Sequence, residues 1–100
     1  MPDIATVGLS QQRGHDGCGP TVGETGSSLM LVNGREVMTV TSTFVGHSCE
    51  HHGWHVPTVV EGSSVMFVEG QPVAYAGAEV GNCPAENEIV NGDDLVSVAE

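Results

Sequence analysis

The sequence predicts an all-β fold built from three short β-hairpin repeats with pseudo-threefold symmetry. Three observations carry this. The segment Gly26-Ser27-Ser28-Leu29-Met30-Leu31-Val32-Asn33-Gly34-Arg35-Glu36-Val37 returns as Gly62-Ser63-Ser64-Val65-Met66-Phe67-Val68-Glu69-Gly70-Gln71-Pro72-Val73, with seven of twelve positions identical, and Gly92-Asp93-Asp94-Leu95-Val96-Ser97-Val98 is a fainter third copy. Valine occurs 16 times and glycine 14 times in 100 residues, which suits pleated strands and tight turns. No long stretch carries a helical 3.6-residue period.

Each element follows from its residues. In the first copy Leu29 to Val32 is an apolar run. Asn33-Gly34 is a two-residue turn signal, because both turn positions need positive φ. Glu36 to Val40 is expected to return. In the second copy Val65 to Val68 leads into Glu69-Gly70, and Pro72 to Ala76 returns. Pro72 donates no hydrogen bond and belongs at a strand start or edge. The third copy is expected to have only its first strand. The repeats span about 22–40, 58–77 and 89–98 of one domain, residues 1–100. Hairpins this short cannot each bury a core, so they must stack or close about an axis, and three copies favour threefold closure. The linkers, about 8–21, 41–57 and 77–89, then form equivalent loops at one end.

Composition excludes several functions. Two Arg, no Lys and thirteen acidic residues give a net charge of −11. Nucleic-acid binding needs clustered cations, so that role is excluded. An anionic membrane surface would repel the chain. The N-terminus Met1-Pro2-Asp3-Ile4 lacks the charged and apolar regions of a signal peptide. No apolar stretch approaches the roughly 18 residues of a spanning helix. Synthesis as a soluble cytoplasmic chain is expected.

The chemistry lies between the copies. The five His and three Cys all fall in the linkers. The first linker holds His15 and Cys18, the second His47, Cys49, His51, His52 and His55, and the third Cys83. Three cysteines far apart, without a CxxC pair, make a disulfide framework a poor reading. His and Cys together point to a metal ion, and structural zinc takes four such ligands. His15 lies eleven residues before Gly26, His55 seven before Gly62 and Cys83 nine before Gly92, which are comparable places. With His47, which opens the middle loop, they make a quartet drawn from all three linkers. Cys18 reads as a small buried thiol, with replacement of His15 as the alternative. Cys49, His51 and His52 read as solvated loop residues.

A catalytic metal would need an open position and a general base. Asp16, Glu50 and Glu86 are near in sequence, but there is no HExxH pattern. Ser27-Ser28 and Ser63-Ser64 read as turn entries. The chain is not expected to be an enzyme.

The repeated Gly-Ser-Ser pattern, with His and Cys in the loops, resembles the PAAR-repeat proteins over about Val7 to Val98. Gly14-His15-Asp16-Gly17-Cys18 is similar to a Gly-His-Gly-Cys segment of phage-like members. His47 and His55 match a paired-His middle loop, and Cys83 a last-loop Cys. Where the family's repeats often end Pro-Ala-Ala-Arg-x-Gly-Asp, this chain has Glu36-Val37-Met38-Thr39-Val40-Thr41 and Pro72-Val73-Ala74-Tyr75-Ala76-Gly77-Ala78, without the Arg and Asp. The resemblance implies a cone whose tip holds one metal ion, zinc or else iron, through three His and one Cys: His15, His47, His55 and Cys83. It implies a monomer capping a trimeric β-helical spike, one cap per trimer, in a phage tail or a type VI-like injection machine. There it would touch the target membrane transiently during piercing. The alternatives are a free-standing metal-binding domain and, further off, a small metal-dependent hydrolase.

Overall fold

The structure is a computed structural model that describes residues 1–14, 18–49, 53–82 and 86–100, with Cys49 described in its backbone only. The strands are β1 (Asp3–Ile4), β2 (Ser27–Val32), β3 (Arg35–Val37), β4 (His47–Cys49), β5 (Gly53–His55), β6 (Thr58–Val59), β7 (Phe67–Val68), β8 (Gln71–Pro72), β9 (Val80–Gly81) and β10 (Asp93–Ser97). Among the described residues there is no helix. The pairs β2–β3, β4–β5, β6–β9, β7–β8 and β1–β10 are all antiparallel.

The two complete hairpins turn where the residues demand. Asn33 and Gly34 have φ of 53° and 78°, and Glu69 and Gly70 of 54° and 77°. The return strands stop earlier than the sequence suggested, at Val37 and Pro72, because the following residues bond to other copies. The third copy is also a full hairpin, which corrects the expectation of a single strand. Its return strand is β1, from the other end of the sequence: Ile4 pairs with Asp93 and Asp3 with Ser97. Val98 N donates to Pro2 O at 2.8 Å.

This split hairpin sets the true equivalence, in which Ile4, Val37 and Val73 correspond and all three are fully buried. The next residues close a ring: Ala5 N donates to Ala74 O, Ala74 N to Met38 O and Met38 N to Ala5 O, at 2.9–3.1 Å. Two residues on, a second ring runs from Val7 N to Glu36 O, Val40 N to Pro72 O and Ala76 N to Asp3 O, each 2.9 Å. Backbone amides need partners once buried, and here each copy supplies them to the next.

The repeated glycine has a spatial reason. A Cβ on Gly26 would lie 2.8 Å from Val37 O, on Gly62 3.0 Å from Val73 O, and on Gly92 2.6 Å from Ile4 O. Only a residue without Cβ lets the strands approach so closely. One exchange of volume breaks the symmetry. Met38 stands where the other copies have Ala5 and Ala74, and Gly23 stands where they have Val59 and Ile89. A Cβ on Gly23 would lie 2.5 Å from the Met38 sulfur. Long-to-small compensation of this kind preserves core density.

The linkers rise from the ring as paired arms. Gly23 N bonds Ser10 O, Val59 N bonds Ser42 O and Ile89 N bonds Ala78 O. One step higher, Gln12, Phe44 and Val80 donate to Thr21, Pro57 and Asn87. The arms also join sideways: Glu24 N to Thr43 O, Val60 N to Glu79 O and Val90 N to Gln11 O. The result measures 37 × 23 × 22 Å. Two nearly equal short axes are what threefold closure about the long axis requires.

Candidate metal centre and docking face

The middle loop continues upward as the hairpin β4–β5. His47 and His55 are directly opposed across it, and opposed residues of an antiparallel pair hold their side chains close. Their Nε2 atoms are 2.7 Å apart, with ring centroids 4.4 Å apart at 67°. His47 Nδ1 is 3.0 Å from Gly19 O, and His55 Nδ1 is 3.4 Å from Gly53 O. A carbonyl only accepts, so the Nδ1–H tautomer of each ring suits these contacts and leaves Nε2 as the atom able to bind a metal ion. A backbone carbonyl on the far ring nitrogen is the usual support of a metal-binding imidazole.

Of the expected quartet, the structure brings together His47 and His55. His15 and Cys83 lie outside the described residues, as do Asp16, Glu50, His51, His52 and the Cys49 side chain. Among the described residues, no three His, Cys, Asp or Glu side chains surround a common point. Cys18 is buried as expected, but it is disulfide-bonded and not a free thiol. Sequence spacing did not reveal this bond, because only the fold decides which loop ends meet.

Beneath the tip lies Gln12, fully buried, which the sequence reading did not single out. Its Oε1 accepts from Gly14 N and Asn87 Nδ2, both at 2.6 Å. Its Nε2 donates to Gly19 O at 3.2 Å and Thr21 Oγ1 at 3.1 Å. Four bonds satisfy the whole amide and tie the first loop to the third. The carbonyl of Gly19 therefore meets both Gln12 and His47. No signal flagged Gln12, since the loops differ in length and hide its equivalence to Phe44 and Val80.

Glu86, considered as a base, is exposed, and its carbonyl accepts from Arg13 at 2.8 Å. It helps line an open, acidic cavity of about 560 Å³ with Glu61, Glu79, Glu88 and Arg13. Below it, burial and then the charges of Glu61 and Glu100 hold the Tyr75 phenol above its ordinary pKa. The serines at the strand entries are structural. Ser27 Oγ accepts from Leu29 N at 3.2 Å, and Ser63 Oγ from Val65 N at 3.1 Å. In the third copy Asp93 Oδ1 accepts from Leu95 N at 2.9 Å. Each also reaches the next copy. Ser27 donates to Glu69, Ser63 donates to Ala99 O, and Asp93 accepts from Asn33 at 2.8 Å.

At this hairpin end, three equivalent residues point outward: Leu29 is 74% exposed, Val65 67% and Leu95 65%. Leu31 and Phe67 extend the apolar face. Exposed apolar side chains repeated by symmetry mark a contact surface, whereas scattered ones do not.

Fold and site together define a single-chain, all-β pseudo-trimer. The PAAR-motif family model matches residues 14–85, and the chain belongs to that family, whose members form the spike tips of contractile injection and type VI systems. The family is structural and not enzymatic. No curated protein matches the chain. The matched segment contains both complete hairpins. The ring is closed by β1 and β10, which lie outside it.

Proposed function

We propose that this chain caps and sharpens the trimeric β-helical central spike of a contractile injection machine, one cap per trimer, for piercing a membrane. One observation carries the reading. Three copies are joined cyclically by backbone hydrogen bonds and present an apolar residue outward at the equivalent place, Leu29, Val65 and Leu95. A monomer can face a true threefold end only if its own surface repeats three times. The blunt end of a β-helix exposes unpaired edges and apolar side chains, which a cap of this kind would cover. The machine's tail tip is where such a cap resides, and its work there is mechanical.

At the opposite end a structural metal ion, zinc or iron, would be held by His47 and His55 with ligands from the outer loops, where the expected residues are His15 and Cys83. Such an ion would supply strong bonds to its ligands that stand in for a hydrophobic core at a point too narrow to have one. The two facing Nε2 atoms are the support for this assignment. Gly19 O and Gly53 O orient the rings. Gln12 anchors the carbonyl that holds His47.

The experiment is to mix the chain with the trimeric spike fragment and measure the mass of the complex. One cap per three spike chains is the expected result. Failure to bind any β-helical trimer end would sink the proposal.

A further inference from the structure

We propose that Asn33 is a self-modification site: water converts its side-chain amide to a carboxylate, and the new charge breaks the polar link that joins copy three to copy one. Four asparagines occur in the chain, and two precede glycine, at Asn33-Gly34 and Asn91-Gly92. That order matters chemically. Glycine has no side chain to keep its own backbone nitrogen from the side chain before it. The glycine nitrogen attacks the asparagine Cγ, its proton passes through water to the departing nitrogen, and ammonia leaves a cyclic imide. Water then opens the imide to aspartate or, at the other carbonyl, to isoaspartate. The net change is amide plus water to carboxylate plus ammonium, and no other reactant is needed.

The structure separates the two sites. Asn33 and Gly34 are exposed at the head of the β2–β3 turn. The ladder closes beneath them at Val32 and Arg35. A Cβ on Gly34 would meet nothing within 4 Å, so the turn has open space in which to rearrange for attack. Asn91 is held at both ends of its amide instead. Its Oδ1 accepts from Gln11 N at 2.8 Å, and its Nδ2 donates to Leu9 O at 3.1 Å. Gly92 is wedged against the neighbouring strand, where a Cβ would lie 2.6 Å from Ile4 O. Attack at Asn91 must wait for the arms to part, whereas attack at Asn33 needs only its turn to move.

The consequence follows from the partner. Asn33 Nδ2 donates to Asp93 Oδ2 at 2.8 Å. This pair inverts its equivalent between copies one and two, where Ser27 donates to the Glu69 carboxylate. Each link therefore sets one donor against one acid. An ionised carboxylate only accepts, so conversion of Asn33 leaves two acids facing each other with no donor between them. Like charges directly opposed across a sheet are destabilising, and Asp93 is 5% exposed, so water and salt screen the pair poorly. The broken link lies in the same hairpins as the outward residues Leu29, Leu31 and Leu95. Ageing of the free chain thus loosens the apolar end.

The test keeps the full chain at mildly alkaline pH and follows each asparagine by peptide mapping and mass spectrometry. The peptide holding Asn33 should gain about 1 Da and do so at least several-fold faster than the peptide holding Asn91. Equal rates, a faster change at Asn91, or no change at either would overturn the site. The consequence is tested by variants. Asn33→Asp should lower the melting temperature by about 5 °C. Adding Asp93→Ser to it should recover most of that loss, because the introduced serine can donate to the new carboxylate as Ser27 does to Glu69. An unchanged melting temperature in Asn33→Asp, or a loss that Asp93→Ser leaves in place, would overturn the role given to the facing acids.

Discussion

Thr41 is the residue most at odds with its backbone. Its φ is 80°, where the equivalent residues of the other copies are Gly8 at 82° and Gly77 at 99°. A β-branched residue rarely adopts this region. The ring imposes it, because Thr41 N must reach Val59 O just as Gly8 N reaches Gly23 O and Gly77 N reaches Ile89 O. Relief of strain of about 1–3 kcal/mol outweighs the extra unfolded-state freedom of glycine, about 0.4–1 kcal/mol. Thr41→Gly should therefore raise stability by about 1 kcal/mol, measured by urea denaturation, and a loss of stability would mean that the Thr41 side chain contributes more than its strain. Asp93 shows the opposite case, a residue better suited than its equivalents. The Leu95 amide bond, then the Asn33 side chain and the Arg35 charge, hold its carboxyl below the ordinary value. The folded pKa is the lower one, so this stabilisation is complete above the unfolded pKa and is lost as pH falls through the folded value. Asp93→Ser places there the residue of the other two copies, which can still accept from Leu95 N. Wild type should lose more stability than Asp93→Ser between about pH 5 and pH 3, as followed by thermal melts. Parallel acid limbs would remove Asp93 from the account.

At the scale of elements, the β4–β5 hairpin carries the histidine pair on a narrow base. A Cβ on Gly46 would lie 2.4 Å from Trp54 Cζ2, so the indole rests on the glycine. Trp54 is 68% exposed and can swing into solvent, which decides the size of the effect. Gly46→Ala should cost only about 0.5 kcal/mol while shifting the emission of the single tryptophan to the red. A large loss of stability would show that the indole braces the hairpin. The same elements show what the sequence could carry. Asn33-Gly34 and the repeated Gly-Ser-Ser made two hairpins legible, because turn chemistry is local. Strand β1 was not legible as the partner of β10. Two residues have no periodicity, and nothing local announces a partner some ninety positions away. His47 and His55 were legible as ligand types, but their opposition depends on hairpin register. Cys18 was read as buried, correctly, and its disulfide was missed because bonding depends on which loops meet. Gln12 escaped notice because a lone polar residue in a loop ordinarily faces water.

The whole molecule is governed by cyclic bonding in two rings of opposite sense: copy three donates to two, two to one and one to three in the first, and three to one, one to two and two to three in the second. The pseudo-symmetry is tighter in the backbone than in the side chains. Thr41, Met38 and Asp93 differ from their equivalents while the rings around them are complete. Selection on the interior alone would not require Leu29, Val65 and Leu95 to be apolar, since all three are mostly exposed. A threefold partner would require it, because each would then enter the same pocket on one of three identical chains. This gives a prediction that a generic sticky patch does not share. Leu29→Asp, Val65→Asp and Leu95→Asp should each leave the melting temperature nearly unchanged, since solvent already surrounds these side chains. Each should weaken spike binding by a similar factor, about 2 kcal/mol apiece for an anchor buried at an interface, measured by titration calorimetry against the spike trimer. The three losses should agree within the spread expected for one pocket chemistry, with Val65 the smallest because it buries the least surface. A large loss at one position and none at the other two would mean that the partner is not threefold, whatever its affinity.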